Sequence, residues 1–283
     1  MPVQSDYTMD EVGACRSVIL EIASCLGAYR DHMVLVGGWA PYFLLQRHRE
    51  TNHCGSLDVD IALDSNAIPA DAYQSILSTL QERGFEPRRD VKGNVIPSSF
   101  LRTFTGTEGR EHVVQVDFLA PEYGGTGKNR RHQRVQDLLA RKCRGSDLVF
   151  DMNQAITLRD RLPNGAWNEA EIKVADVGAV LAMKGFAFFD RSSEKDAYDI
   201  YMLCREYGTG PDDVAEAVIP RSSNRLIREG LSKISDKFSA HDAVGPVAVA
   251  DFLEEIDREE RERIARDAYE VIDYVLKRIY PEA

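Results

Sequence analysis

The chain has 283 residues, 43% hydrophobic and 29% charged, and its 35 Lys+Arg against 46 Asp+Glu give a formal charge of −11. That length suits one large domain or two modest ones, and the acid excess excludes bulk, sequence-blind coating of nucleic acid. No run of about 18 apolar residues occurs, and the N-terminus MPVQSDYTMDE lacks the basic-then-apolar order of a signal peptide, so a cytoplasmic protein without a membrane partner is expected. The five cysteines (Cys15, Cys25, Cys54, Cys143, Cys204) are scattered, odd in number and never in a CxxC pair, which argues against a disulfide framework and a structural zinc.

In chain order, residues 11–29 read as an amphipathic helix, with Val12, Cys15, Val18, Ile19, Ile22 and Leu26 at helical spacing. An apolar strand, Met33-Val34-Leu35-Val36, runs into Gly37-Gly38 and a helix from Trp39 to Arg47. From Ser56 to Asp64, apolar Leu57, Val59, Ile61 and Leu63 alternate with Asp58, Asp60 and Asp64, a strand with its acids on one face. A helix over 70–82 and strands near 85–89, 99–104 and 112–120 follow. The last of these is apolar apart from its centre, where Asp117 sits between Val116 and Phe118. A Gly-rich loop at 123–127 leads into a basic stretch from Lys128 to Arg144. Beyond about 175 helical patterns prevail: 175–190, 194–207, 211–219, 224–235 and a long charged helix near 251–279. The first half is therefore α/β in pattern and the second all-helical, with a boundary between 150 and 175.

Asp58 and Asp60, two apart on one strand, leave the same face about 6.5–7 Å apart at Cα. Two carboxylates so spaced can share a hard divalent cation with substrate phosphates, or merely decorate a solvated sheet surface. Asp117 is expensive to keep charged in an apolar strand unless a cation or donors meet it, the other reading being a strand-end Asp that reaches water. Gly37-Gly38, after a strand and before a helix, lets bare backbone approach an anion, although such a pair also makes plain tight corners.

Taken together, Leu35-Val36-Gly37-Gly38-Trp39-Ala40, Gly55-Ser56-Leu57-Asp58-Val59-Asp60-Ile61 and Val116-Asp117-Phe118 resemble the nucleotidyltransferase superfamily of the DNA polymerase β-like fold, over roughly residues 10–120. Many members have Gly-Ser where this chain has Gly37-Gly38, so phosphate contacts here would lean on backbone N–H groups. The segment from Val180 to Arg191, then Glu194-Lys195-Asp196-Ala197-Tyr198-Asp199, resembles the AbiEii branch, toxins of type IV toxin–antitoxin systems that include the MenT group. The resemblance implies an α+β fold: a nucleotidyltransferase mixed sheet with flanking helices over 1–165 and a helical bundle domain over 166–283. It implies Mg²⁺ or Mn²⁺ on Asp58, Asp60 and Asp117, with Lys184 and Asp199 also catalytic. Gly37, Gly38, Ser56, Lys184, Arg191 and Asp196 would meet nucleotide and phosphate. Lys184 is a lone cation in an apolar run, and Asp196 and Asp199 share a helix face from which they can orient it. Asp196 also suits a helix N-terminus for dipole reasons alone.

The activity so implied is transfer of NMP from an NTP to RNA, with tRNA 3′ ends the expected acceptor and an antitoxin encoded nearby as partner. Seven basic residues (Lys128, Arg130, Arg131, Arg134, Arg141, Lys142, Arg144) and one acid, Asp137, make the 128–144 stretch locally positive. It either tracks a phosphate backbone or forms a solvated helix paired with C-terminal acids. Ser56 either starts its strand or, if modified, would set charge against the metal carboxylates. Two alternatives stand beside the toxin reading. The Gly37-Gly38-Trp39-Ala40 segment with Arg47 and Arg49 also resembles aminoglycoside and lincosamide nucleotidyltransferases, whose cationic acceptors suit an acidic chain. A degenerate nucleotide-binding protein without turnover is the other.

Overall fold

The computed structural model describes residues 2–46, 53–68, 75–122 and 131–281. The chain divides into two units, one made of Met9–Trp39 and Ser56–Ala175, the other of Met1–Thr8, Ala40–Gly55 and Asp176–Ala283.

The first unit holds helices α1 (Met9–Cys25) and, after α2 (Trp39–Gln46), α3 (Ile76–Glu82). Its strands among the described residues are β1 (Met33–Leu35), β2 (Asp58–Leu63), β3 (Phe85–Arg89), β4 (Val95–Thr105), β5 (Glu111–Pro121), β6 (His132–Val135), β7 (Leu138–Cys143), β8 (Asn153–Arg161) and β9 (Trp167–Ala175). They form one sheet in the order β3-β4-β5-β2-β1-β9-β8, with β7 joining β5 and β6 joining β7. The pairs β2–β5, β1–β9 and β5–β7 are parallel and the others antiparallel, so the sheet is mixed. Ile19 and Ile22 of α1 line one cavity together with Met33, Leu35 and Ile61 of the sheet. Burying each such aliphatic side chain stabilises the fold by about 1.5–3 kcal/mol. Because successive strand residues alternate faces, Asp58 and Asp60 stand on the face away from α1, half-buried, while Val59 and Ile61 are buried beneath it.

The second unit contains α4 (Val177–Arg191), α5 (Glu194–Glu206), α6 (Pro211–Val218), α7 (Arg225–Lys237), α8 (Val244–Phe252) and α9 (Arg258–Ile279). Asp176 caps α4 by accepting from Ala179 N–H at 2.9 Å. Helices α4 and α7 cross with backbones touching, since a Cβ on Gly185 would lie 2.2 Å from the Gly230 carbonyl oxygen. The fold is thus the expected α+β one, a mixed sheet with flanking helices followed by C-terminal helices.

Four local expectations are corrected. The sheet runs to Ala175, past the 165/166 division, and residues 1–8 and 40–55 group with the helical unit. The ribbon β8–β9 escaped notice because its outer half is charged and exposed, Arg159 facing Glu169 and Arg161 facing Trp167. The long helix near 251–279 is two: α8 ends at Phe252, and Asp257 starts α9 by accepting from Glu260 N–H at 2.9 Å. The basic stretch is not a solvated helix, its described part being the hairpin β6–β7 with Gln133, Val135, Leu138 and Ala140 buried. Helix α3 begins at Ile76, where the Ser75 hydroxyl accepts from Ser78 N–H at 2.9 Å. Residues 70–74 of the expected helix, Arg47, Arg49, loop 123–127, Lys128 and Arg130 lie outside the described residues. The five cysteines are free thiols. Among the described residues no helix is long and apolar enough to cross a membrane.

Candidate functional site

Strand β1 turns sharply after Val36, whose N–H donates to the Asp60 carbonyl at 3.0 Å. Gly37 then takes φ +63°, and a Cβ there would lie 2.2 Å from Asp60 Oδ2, so the position needs glycine both for its backbone and for the carboxylate pressed against it. Gly38 completes the turn into α2. On the acid face, parallel register sets Asp60 beside Asp117 and Asp58 beside Gln115, and antiparallel register sets Ser99 on the other side of Asp117. The acids at 58, 60 and 117 therefore share one face on adjacent strands. Ser56, 6% exposed, donates its hydroxyl to Asp58 Oδ1 at 2.7 Å. Gln115 Nε2 donates to Asp117 Oδ2 at 3.1 Å, and Asp117 Oδ1 is buried with no hydrogen-bond partner among the described residues.

Among the described residues no three His, Cys, Asp or Glu side chains form a ready-made cation cluster. The donor set nonetheless fits a hard cation. It consists of carboxylate oxygens on one sheet face, and the unpartnered Asp117 Oδ1 is a buried anion that a divalent ion would satisfy.

The remaining predicted residues lie in the helical unit and meet one another there. Lys184 Nζ lies 2.8 Å from Asp196 Oδ1 and 2.6 Å from Asp199 Oδ2. Arg191 grips Asp196 with Nε at 2.7 Å and Nη2 at 3.0 Å, and Lys195 pairs with Asp199 one turn along α5. Asp199 is fully buried, Lys184 nearly so, and Arg191 is 62% exposed at its side chain. Although burial opposes charge, the Lys184 and Lys195 ammonium groups hold the Asp199 carboxyl well below the ordinary range, while Asp196 and Asp199 hold Lys184 above its own.

His53, which no local sequence pattern marks, closes this network. Its Nε2 lies 2.8 Å from Asp199 Oδ1, and its Nδ1 accepts from Gly55 N–H at 3.1 Å, so the ring is a neutral imidazole donating through Nε2. It stacks on Tyr198 with centroids 5.4 Å apart. Burial first, then Lys195, lowers its pKa from 6.5 to about 4, against the pull of Asp199. A lowered value makes the unfolded chain the better proton acceptor, so this stability is whole above pH 6.5 and drains as pH falls toward 4. Between pH 7 and 5, above the carboxylate range, the drop expected from His53 is about 2 kcal/mol. Denaturant unfolding at both pH values should show that loss in the unsubstituted chain and lack it in His53→Gln. An equal slope in both would sink the assignment.

A strand–glycine–helix corner pressed on a DxD strand, with a third Asp in register on the neighbouring parallel strand, is the site plan of a nucleotidyltransferase. Residues 19–273 match the family described as the nucleotidyl transferase AbiEii toxin of type IV toxin–antitoxin systems, and the chain belongs to that family. Among solved structures it is similar to an antigenic nucleotidyltransferase-like protein from Paracoccidioides brasiliensis, 17% identical, with a TM-score of 0.42 over 81% of this chain and 89% of that one. No curated protein matches it.

Proposed function

We propose that the chain transfers a nucleoside monophosphate from an NTP to a hydroxyl of an RNA, with a tRNA 3′ end as the expected acceptor, and that it does so as the toxin partner of a cognate antitoxin. The single observation that carries the chemistry is the acid face, where Asp58, Asp60 and Asp117 share one side of adjacent strands and a buried Asp117 oxygen has no donor among the described residues. These three would hold Mg²⁺ or Mn²⁺, which supplies charge neutralisation for the triphosphate and activation of the acceptor oxygen. Backbone N–H groups at Gly37-Gly38 meet the phosphates, and Ser56 keeps Asp58 oriented through its hydroxyl. Asp117 helps take the acceptor's proton as the acceptor oxygen bonds to the α-phosphorus and the bond to the leaving pyrophosphate breaks. Lys184, Arg191, Asp196 and Asp199 enter as the resemblance assigns them, serving the triphosphate. In their favour, cations outnumber carboxylates three to two in that network, Lys195 included.

RNA as acceptor draws support from the hairpin β6–β7. Its outward face carries Arg134 and Arg141, because His132 pairs with Arg141 and Arg134 lies two residues beyond His132. Burial, and then the Arg131 and Arg141 guanidiniums, push the His132 imidazole below its usual value, a sign of local positive potential. Incubation with each labelled NTP and total RNA, with and without Mg²⁺, tests the reading. Labelled tRNA is expected only with Mg²⁺, and Arg134→Glu with Arg141→Glu should weaken RNA binding about tenfold and flatten its salt dependence. Label on an aminoglycoside instead of RNA, or triphosphate binding without pyrophosphate release, would overturn it.

A further inference from the structure

Ser99 Oγ and Asp117 Oδ1 are both buried, and neither has a hydrogen-bond partner among the described residues. Antiparallel register sets these two residues directly opposite each other, so their side chains leave the same face with Cβ atoms about 4.5–5.5 Å apart. The reverse side of the same strands is apolar, with Phe100 and Phe118 rings 5.8 Å apart. Ser99 is 2% exposed, and a buried polar atom left unsatisfied costs about 1–3 kcal/mol. A serine kept merely for its size would be improved by alanine. Gln115 stands on the same face, opposite Asp58, and holds Asp117 through Oδ2 alone. Its amide fixes the rotation of that carboxylate and determines which oxygen is left to serve a ligand.

We propose that Ser99 and Gln115 belong to the transfer site. Gln115 is a positioning residue that sets Asp117, and Ser99 supplies a hydroxyl to the hydrated divalent cation that Asp117 Oδ1 would bind. The inference rests on the reading of Asp58, Asp60 and Asp117 as cation ligands. Partners of this kind, one bond removed from a ligand, are worth about 10–100-fold in metal affinity or activity when lost.

The test uses the full chain and Mn²⁺ as probe, its free concentration followed by electron paramagnetic resonance, with thermal midpoints measured without metal. Ser99→Ala is expected to melt at or above the unsubstituted midpoint and yet to bind Mn²⁺ about tenfold more weakly, with Ser99→Thr recovering the affinity. Gln115→Met is expected to lose at least as much affinity and to lower kcat with Mg²⁺ more than it raises KM for NTP. Should Gln115→Met fail to fold, the Ser99 pair decides. Mn²⁺ affinities of Ser99→Ala and Gln115→Met within twofold of the unsubstituted chain would overturn the inference and leave the carboxylate reading intact. Failure of Ser99→Thr to recover affinity would remove the hydroxyl's role. If the unsubstituted chain shows no Mn²⁺ binding that Asp60→Ala abolishes, both readings fall.

Discussion

Asp60→Ala is expected to lower Mg²⁺-dependent nucleotide incorporation by on the order of 10³-fold or more, about 4 kcal/mol of transition-state stabilisation, without unfolding the chain. The two halves of that expectation have separate causes. Asp60 is half-buried on the polar face of β2, and the packing beneath it is made by Val59 and Ile61, which the substitution leaves alone. Asp60 also lies in register with Asp117, so its removal relieves repulsion between neighbouring carboxylates, and the midpoint without metal should hold or rise. The loss should appear only where the cation acts. With Mg²⁺ and NTP present, the unsubstituted chain should gain thermal stability by ligand linkage and Asp60→Ala should not. Gly37→Ala offers a cross-check, because the new Cβ would strike Asp60 Oδ2 in a backbone conformation that alanine dislikes, damaging activity and stability together. Incorporation that survives in Asp60→Ala would end the metal-assisted mechanism.

The acid face was legible because period two is a strong signal. Asp58 and Asp60 alternate with Val59 and Ile61, and one misplaced charge among apolar neighbours pointed to Asp117. The same rule places Gln115 on the face of Asp117, two residues away, but a glutamine in a strand carries no chemical alarm and it went unnoticed. Ser99 was harder, because its neighbour is reached only through the pairing of β4 with β5, and register across strands is not written in either strand alone. His53 shows the limit most clearly. Its partner Asp199 is 146 residues away, and no local pattern marks a histidine as buried and neutral. Lys195, by contrast, sits four residues before Asp199 on α5, a spacing that already predicts their pairing. The basic stretch was correct in charge and wrong in form. Its apolar Val135, Leu138 and Ala140 are too few to fix a period, and the hairpin is decided by β7 pairing with β5 at Leu119–Pro121.

Lys184→Met should destabilise the fold by about 3–5 kcal/mol, the largest stability effect expected of any single site here, because it strips a buried cation from two buried carboxylates. Asp196 would keep Arg191, and Asp199 would keep Lys195 and His53, so the lower end of that range is the better expectation. The deficit should shrink as pH falls toward 4. Asp196 and Asp199 titrate below their ordinary values in the unsubstituted chain, and without Lys184 their folded values move up, so the folded variant takes up protons that the unsubstituted chain refuses and has less carboxylate stability left to lose. Lys184→Met combined with Asp199→Leu removes the mutually dependent charges together and should be less harmful than the sum of the two single losses, the difference measuring their coupling. Denaturant unfolding of the four chains gives that cycle, and additivity within about 0.5 kcal/mol would show that the pair is not coupled. Activity lost in Lys184→Met is therefore ambiguous, and Arg191 resolves it. Its guanidinium is 62% exposed, so Arg191→Ala should alter stability by under about 1 kcal/mol, leaving any fall in NTP affinity to be read as phosphate binding by this network.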